Sequence, residues 1–373
     1  MNMTLYLTLE CNLACTYCYQ SDNKSCGEEA FCKGQTISFE TAKAAVDYSV
    51  KRGDKSTGIC FFGGEPLLCK DTLSKLMDYC DEVRKTGHNF SFRLVTNGLL
   101  IDDEFMKFAC KNNIGVALSH DGLMQDDCRL TKDKKGTFDL LSDKIDILLR
   151  YQPKTVALIT VDPKCAHKLC SSVEYLFSKG FKNVALTPRY AEVCPWDDDS
   201  FAVLEEEFRK LSDLYVKKTL SGNEFSISAL DVKIRDYIMG ECSPNKGCRL
   251  GEKQVCVMPD GKIYPCQQFI EDEYCMGNVF DGIQKERLDF IKKIRKDSPK
   301  ECADCGLKPR CRYNCCCLNK QCTGSIGSIS PFQCSYEQMI ISAADSAAER
   351  LYKQGNTLFL KKQYREFYNL LEI

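Results

Sequence analysis

Cys11, Cys15 and Cys18 stand at C-x3-C-x2-C spacing in the stretch CNLACTYCY, directly after an apolar run. Three thiols closing in one loop suit an iron–sulfur cluster, because a cubane has four iron corners and such a loop reaches three of them. The fourth corner is then open, and an open coordination position separates a reactive metal centre from a closed structural one. The same spacing also suits a zinc knuckle with a distant fourth ligand, or three ordinary buried thiols. A second array lies far along the chain. Cys248-x12-Gly261-x4-Cys266 is followed by Cys302-x2-Cys305-x5-Cys311-x3-Cys315 and then by Cys334. Its C-x2-C pair is also a zinc-ribbon signal.

The chain holds 26 cysteines in 373 residues, a density usual in disulfide-stapled secreted domains. Yet MNMTLYLTLECNLAC has neither the basic start nor the cleavage site of a secretory signal, and no apolar run reaches membrane-span length. A cytoplasmic location follows, where a reducing pool makes clustered cysteines metal ligands more often than disulfides. With 51 Lys plus Arg against 52 Asp plus Glu, the formal charge of −1 excludes binding of nucleic acid or anionic membrane by bulk charge. Hydrophobic residues at 44% and charged residues at 28% exclude a disordered or fibrous chain.

The elements that must position these cysteines come next. Apolar, β-branched-rich runs at 3–9, 58–62, 90–96, 114–119, 154–161 and 182–188 predict buried parallel strands. Helical spacing at 39–52, 71–85, 102–112, 137–150 and 168–179 fills the gaps between them. Six βα units in a row imply a parallel barrel or part-barrel. A charged helix is expected at about 200–220. The stretch 241–334 is rich in Cys, Gly, Pro and Lys, with short strand-like pieces only at Gln254–Met258 and Lys262–Tyr264. So few apolar residues imply that metal or disulfide holds its shape. Helical spacing returns over 335–373.

The first cluster resembles that of the radical S-adenosylmethionine (SAM) superfamily, in which an aromatic residue, here Tyr17, precedes the third cysteine. FFGGEP at 61–66 is similar to the family's Gly-Gly-Glu segment, with Gly63, Gly64 and Glu65 beside the methionine amino group. VTNG at 95–98 (Thr96, Asn97) and SHDG at 119–122 (Ser119) match polar segments lining the cofactor pocket. All fall at the C-terminal ends of expected strands, where parallel barrels keep their active sites. Arg129 resembles the arginine that meets the cofactor carboxylate or ribose; its other reading is a solvated surface residue. The resemblance implies an α/β fold with a partial (β/α)6 TIM-like barrel, and reductive cleavage of SAM to a 5′-deoxyadenosyl radical that abstracts hydrogen from unactivated carbon.

The distal array resembles the SPASM domain, an iron–sulfur domain of peptide-modifying members. That resemblance implies a second and a third 4Fe–4S cluster, the auxiliary pair, one on Cys242, Cys248, Cys266 and Cys315, the other on Cys302, Cys305, Cys311 and Cys334. Cys242 is the candidate eighth ligand; without it one iron stays open. The implied boundaries are 1–222 for the barrel, 223–240 for a linker, 241–335 for the SPASM domain and 336–373 for C-terminal helices. Of the remaining fifteen cysteines, Cys60, Cys80, Cys110 and Cys170 read as small core residues. Cys26 and Cys32 lie near the expected active face. Cys316, Cys317 and Cys322 sit beside Cys315 and read as buried filler. His88, His120 and His167 are too scattered for a metal site and read as surface or pocket-lining residues.

The implied activity is oxidative modification of a peptide or protein, including a Cys-bearing one, with thioether or another cross-link as the product. Two alternatives stand beside it: a sulfatase-maturase-like oxidase making formylglycine, and an electron carrier or redox sensor without catalysis. Gln267 occupies the place of the aspartate that acts as base in sulfatase maturases, and an amide cannot take that proton. Glu271 and Asp272 are the nearest substitutes. The implied partner is a flavodoxin- or ferredoxin-type electron donor; because the first strand begins at residue 3 with no leader-reading domain before it, any leader is expected to be read by the barrel, by the C-terminal helices or by a separate leader-binding protein.

Overall fold

The computed structural model describes residues 1–18, 35–191, 193–240, 250–294 and 299–365. Strands and helices alternate from the start: β1 (Asn2–Thr8), α1 (Phe39–Lys51), β2 (Ser56–Gly63), α2 (Lys70–Arg84), β3 (Asn89–Thr96), α3 (Asp103–Lys111), β4 (Ile114–Ser119), α4 (Gln125–Cys128) and α5 (Ser142–Tyr151). Then come β5 (Val156–Val161), α6 (Leu169–Ser178), β6 (Asn183–Pro188), α7 (Asp198–Leu220), β7 (Ser226–Ile227) and α8 (Ser228–Ile238). All six apolar runs are strands, and the fold class is α/β. Polar caps set the helix starts: Ser38 accepts the Thr41 N–H at 3.0 Å before α1, and Asp102 accepts the Phe105 N–H at 2.7 Å before α3. The remaining elements are β8 (Gln254–Val257), β9 (Lys262–Tyr264), β10 (Gly277–Asn278), β11 (Gly282–Ile283), α9 (Lys285–Ile294), α10 (Cys316–Thr323), α11 (Pro331–Lys353) and α12 (Thr357–Tyr364).

The chain divides into two compact units, the first taking in 1–120, 128–155 and 249–297. At its centre is β1, whose Leu5, Tyr6 and Leu7 are fully buried, so both faces are covered. That is why its run is continuously apolar rather than alternating. It pairs in parallel with β2, Leu5 opposite Phe61, and with β8, Thr4 opposite Cys256. From β2 the parallel order continues through β3 to β4, while β8 runs antiparallel into β9 and on to β10 and β11. This corrects the expectation for the Cys-rich stretch. Its first hairpin is built into the sheet beside β1, with Val255, Cys256, Val257 and Ile263 fully buried, so apolar burial as well as metal can hold it.

The second unit takes in 121–127, 156–248 and 298–373. In it β5 and β6 pair in parallel, Val161 opposite Pro188, and β7 adds to β6. Helices α7 and α11 pack along one another, with Phe208 and Tyr336 edge to face and the Ser212 hydroxyl donating to the Ala343 carbonyl at 2.8 Å. The stretch 223–240, expected as a linker, folds as β7 and α8. Two of its buried residues are charged, which hides the apolar face. Asp231 accepts from the Tyr215 and Ser226 hydroxyls and meets Lys362 Nζ at 2.7 Å; Lys233 Nζ lies 2.6 Å from Glu337 Oε2.

Smaller expectations also change. Cys80 is buried, but Cys60 and Cys170 are half-buried, and Cys110 is exposed because α3 turns Phe105, Met106 and Ala109 inward instead. Cys316 is buried, but Cys317 and Cys322 are half-buried. His88 is buried rather than on the surface, its Nε2 lying 2.9 Å from the Thr57 hydroxyl. Among the described residues no helix is long and apolar enough to cross a membrane.

Candidate active site

The loop leaving β1 carries Cys11, Cys15 and Cys18, and backbone hydrogen bonds stitch it to the end of α4 and the residues just after it. The Ala14 N–H donates to the Leu130 carbonyl and the Thr16 N–H to the Cys128 carbonyl, both at 2.8 Å, while the Cys18 N–H turns back onto the Cys15 carbonyl at 3.1 Å. Cys11 Sγ accepts the Leu13 N–H at 3.4 Å and faces Asn97 Nδ2 at 3.8 Å. Burial pushes the Cys11 thiol up, the Leu13 and Asn97 donors pull against that, and the charges of Glu65 and Cys18 add to the rise. Cys11, Cys18 and Glu65 therefore lie within electrostatic reach of one another.

Gly63 and Gly64 close the end of β2 against the exit of β1. Gly63 has φ of +138°, and a Cβ there would stand 2.2 Å from the Thr8 carbonyl oxygen; at Gly64 it would stand 2.0 Å from that of Glu10. Close approach by the chain's own backbone is thus sufficient reason for both glycines. Glu65 is fully buried. Its Oε1 accepts the Leu67 N–H at 3.0 Å and the Thr96 hydroxyl at 2.8 Å, its Oε2 accepts the Asn97 N–H at 2.8 Å, and its own N–H donates to Glu10. Burial raises its carboxyl above the usual range, with those donors opposing. One side chain so ties together the ends of β1, β2 and β3.

Thr96 also accepts the Gly98 N–H at 3.0 Å, and Ser119 is half-buried at the end of β4. Arg129 is buried, not solvated, and its guanidinium lies 5.4 Å from the Tyr17 ring centroid. Sequence spacing gave no sign of that stack, nor of Asn12, whose Oδ1 accepts from Asn97 Nδ2 at 2.7 Å. A polar side chain between two expected ligands was the available signal.

In the second array Cys242 and Cys248 lie outside the described residues, as do Cys26 and Cys32. Cys266 is buried in the first unit. Cys302 is buried and its thiol is raised by burial and by the charges of Cys334 and Cys305. Cys311 is pushed up to about 12 by burial and by Glu337. Cys315 stands at the N-terminal boundary of α10; its thiol is lowered to about 7, first by the Cys317 thiol at 3.3 Å and then, against burial, by the Leu318 N–H. No three Cys, His, Asp or Glu side chains among the described residues are drawn together tightly enough for a single metal ion. A cubane spreads its thiolates over separate irons, so it needs neighbouring sulfurs rather than touching ones. The all-thiol donor sets fit such a cluster, and the iron's charge would supply the deprotonation that burial opposes. Gln267, next to Cys266, is half-buried; Glu271 is half-buried, and Asp272 is exposed and 3.2 Å from Lys262.

Residues 5–164 match the family model described as the radical SAM superfamily, and 248–306 match SPASM, an iron–sulfur cluster-binding domain. The chain belongs to the radical SAM superfamily. This member is 25% identical over 321 residues to a cysteine-type anaerobic sulfatase-maturating enzyme of Clostridium novyi, covering 82% of this chain and 84% of that one. It is also 25% identical over 326 residues to the mycofactocin maturase MftC of Mycolicibacterium smegmatis, covering 84% and 77%. Among solved structures, native anSMEcpe with bound AdoMet superposes with a TM-score of 0.81 at 22% identity, covering 96% of this chain and 100% of that one. Streptococcus suis SuiB gives 0.60 at 18%, covering 89% and 76%. These likenesses establish the fold class, α/β with a C-terminal SPASM domain. Six β/α units follow one another in chain order.

Proposed function

We propose that this radical SAM enzyme oxidatively modifies a cysteine-bearing peptide or protein in the cytoplasm. The observation that carries the reading is the match to both domain models, together with a likeness over most of the length of the maturases it resembles. Cys11, Cys15 and Cys18 hold the SAM-binding 4Fe–4S cluster. Two auxiliary clusters sit on Cys242, Cys248, Cys266 and Cys315 and on Cys302, Cys305, Cys311 and Cys334. When bound, the first cluster and SAM supply a radical able to take hydrogen from carbon. Tyr17 and Arg129 form one wall for the cofactor, Gly63 and Gly64 offer backbone, and Thr96, Asn97 and Ser119 offer polar groups. Glu65 acts chiefly as the clamp that fixes the strand ends. A flavodoxin- or ferredoxin-type protein supplies electrons.

The product we favour is a thioether or related cross-link, because Gln267 leaves no proton acceptor beside Cys266. Formylglycine formation is the second reading, favoured by the sulfatase-maturating relatives and by half-buried Glu271 four residues on. Anaerobic incubation of the iron-loaded enzyme with SAM, reductant and a Cys peptide of the sulfatase type separates the readings by chemistry. Oxidation of the Cys by two hydrogens to a thioaldehyde, whose hydrolysis leaves a hydrazine-reactive aldehyde and releases the sulfur as sulfide, selects the oxidase, with Glu271 as the base. A Cys-bearing precursor encoded nearby should instead lose two hydrogens and its alkylatable thiol with no aldehyde. Peptides that return unmodified while SAM is cleaved would contradict both.

A further inference from the structure

We propose that Asn97, anchored by Asn12, is a positioning residue that sets the reduction potential of the cluster on Cys11, Cys15 and Cys18; this rests on that ligand assignment. Asn97 follows β3, and its backbone is fixed by the N–H bond to Glu65 Oε2. Its amide is oriented from both ends. Oδ1 accepts the Leu99 N–H at 3.1 Å, and Nδ2 donates to Asn12 Oδ1 at 2.7 Å. Flipping the amide would set donor against donor and acceptor against acceptor, so the network dictates which atom is nitrogen. A carboxamide carries two N–H groups. One goes to Asn12, and the other faces Cys11 Sγ at 3.8 Å, in a position only 7% exposed where water competes little.

The Leu13 N–H, 3.4 Å from the same sulfur, is a second donor. Hydrogen bonds to a ligating sulfur stabilise the more negative, reduced cluster and raise its potential. Side-chain substitution other than to proline leaves that backbone donor in place, whereas the Asn97 donor can be removed. Asn12 Oδ1 holds that amide in register with Cys11 and itself lies 3.9 Å from Cys11 Sγ.

The test is an EPR-monitored redox titration of the full chain, reconstituted anaerobically without SAM. The relevant signal is the one missing from the Cys11→Ala/Cys15→Ala/Cys18→Ala protein. In Asn97→Asp, which keeps the shape but turns the donor into a charged acceptor, the reduced-to-oxidised ratio at a fixed potential should fall about tenfold, or about 59 mV for one electron. Asn97→Ala should move it the same way by less. A potential does not depend on how much cluster is loaded, so partial loss of iron leaves the reading intact. Ratios within twofold of wild type in both Asn97 variants would overturn the inference alone. If the triple variant lacks no signal, the ligand assignment falls, and the inference with it.

Discussion

Charged side chains buried in this protein are held by named partners, and removing one partner exposes the cost of burying the other. Lys233 and Glu337 meet at 2.6 Å with almost no solvent exposure, and the Arg312 N–H and the Arg310 carbonyl complete their hydrogen bonds. Lys233→Met alone should destabilise the second unit by about 3–5 kcal/mol, whereas Lys233→Met with Glu337→Leu should recover most of that loss. Denaturant unfolding of the two variants checks the difference. His88 gives the acid-side behaviour. Burial holds its pKa below the usual value, so the unfolded chain binds the proton first as pH falls. Stability should therefore decline below about pH 6.5, by at most about 1.4 kcal/mol per pH unit from this group, and His88→Asn should flatten that slope in melts between pH 7 and 5.

At the scale of elements, the six strands were legible because burial on both faces leaves long apolar runs. Strand β8 was harder: four residues carry no period, and only the pairing of Thr4 with Cys256 shows that it extends the sheet. Helix α8 escaped notice because Asp231 and Lys233, which read as surface residues, are buried and paired. The Gly-Gly-Glu segment was legible as a motif, but its mechanical role was not. Sequence cannot show that the Thr8 and Glu10 carbonyls sit where side chains would be. Gly64→Ala should push the β1 exit loop away, costing about 1–3 kcal/mol and lowering iron retention at the first cluster more than at the others. Thermal melts and iron counts per chain check it. Wild-type stability and loading in that variant would show that the loop tolerates the displacement.

For the whole molecule, the three clusters we propose imply about twelve irons per chain after anaerobic reconstitution. Cys305→Ala should lose about four of them, because the second auxiliary cluster has no spare thiolate in its set. Its SAM cleavage should survive better than peptide turnover. The most direct test of the account is reductive SAM cleavage by the reconstituted enzyme, read as 5′-deoxyadenosine formed under dithionite. The wild type should form it, and the Cys11→Ala/Cys15→Ala/Cys18→Ala protein, folded and still holding its auxiliary irons, should form none. Deoxyadenosine from that triple variant at the wild-type rate, or none from a fully loaded wild type, would contradict the assignment of the active cluster.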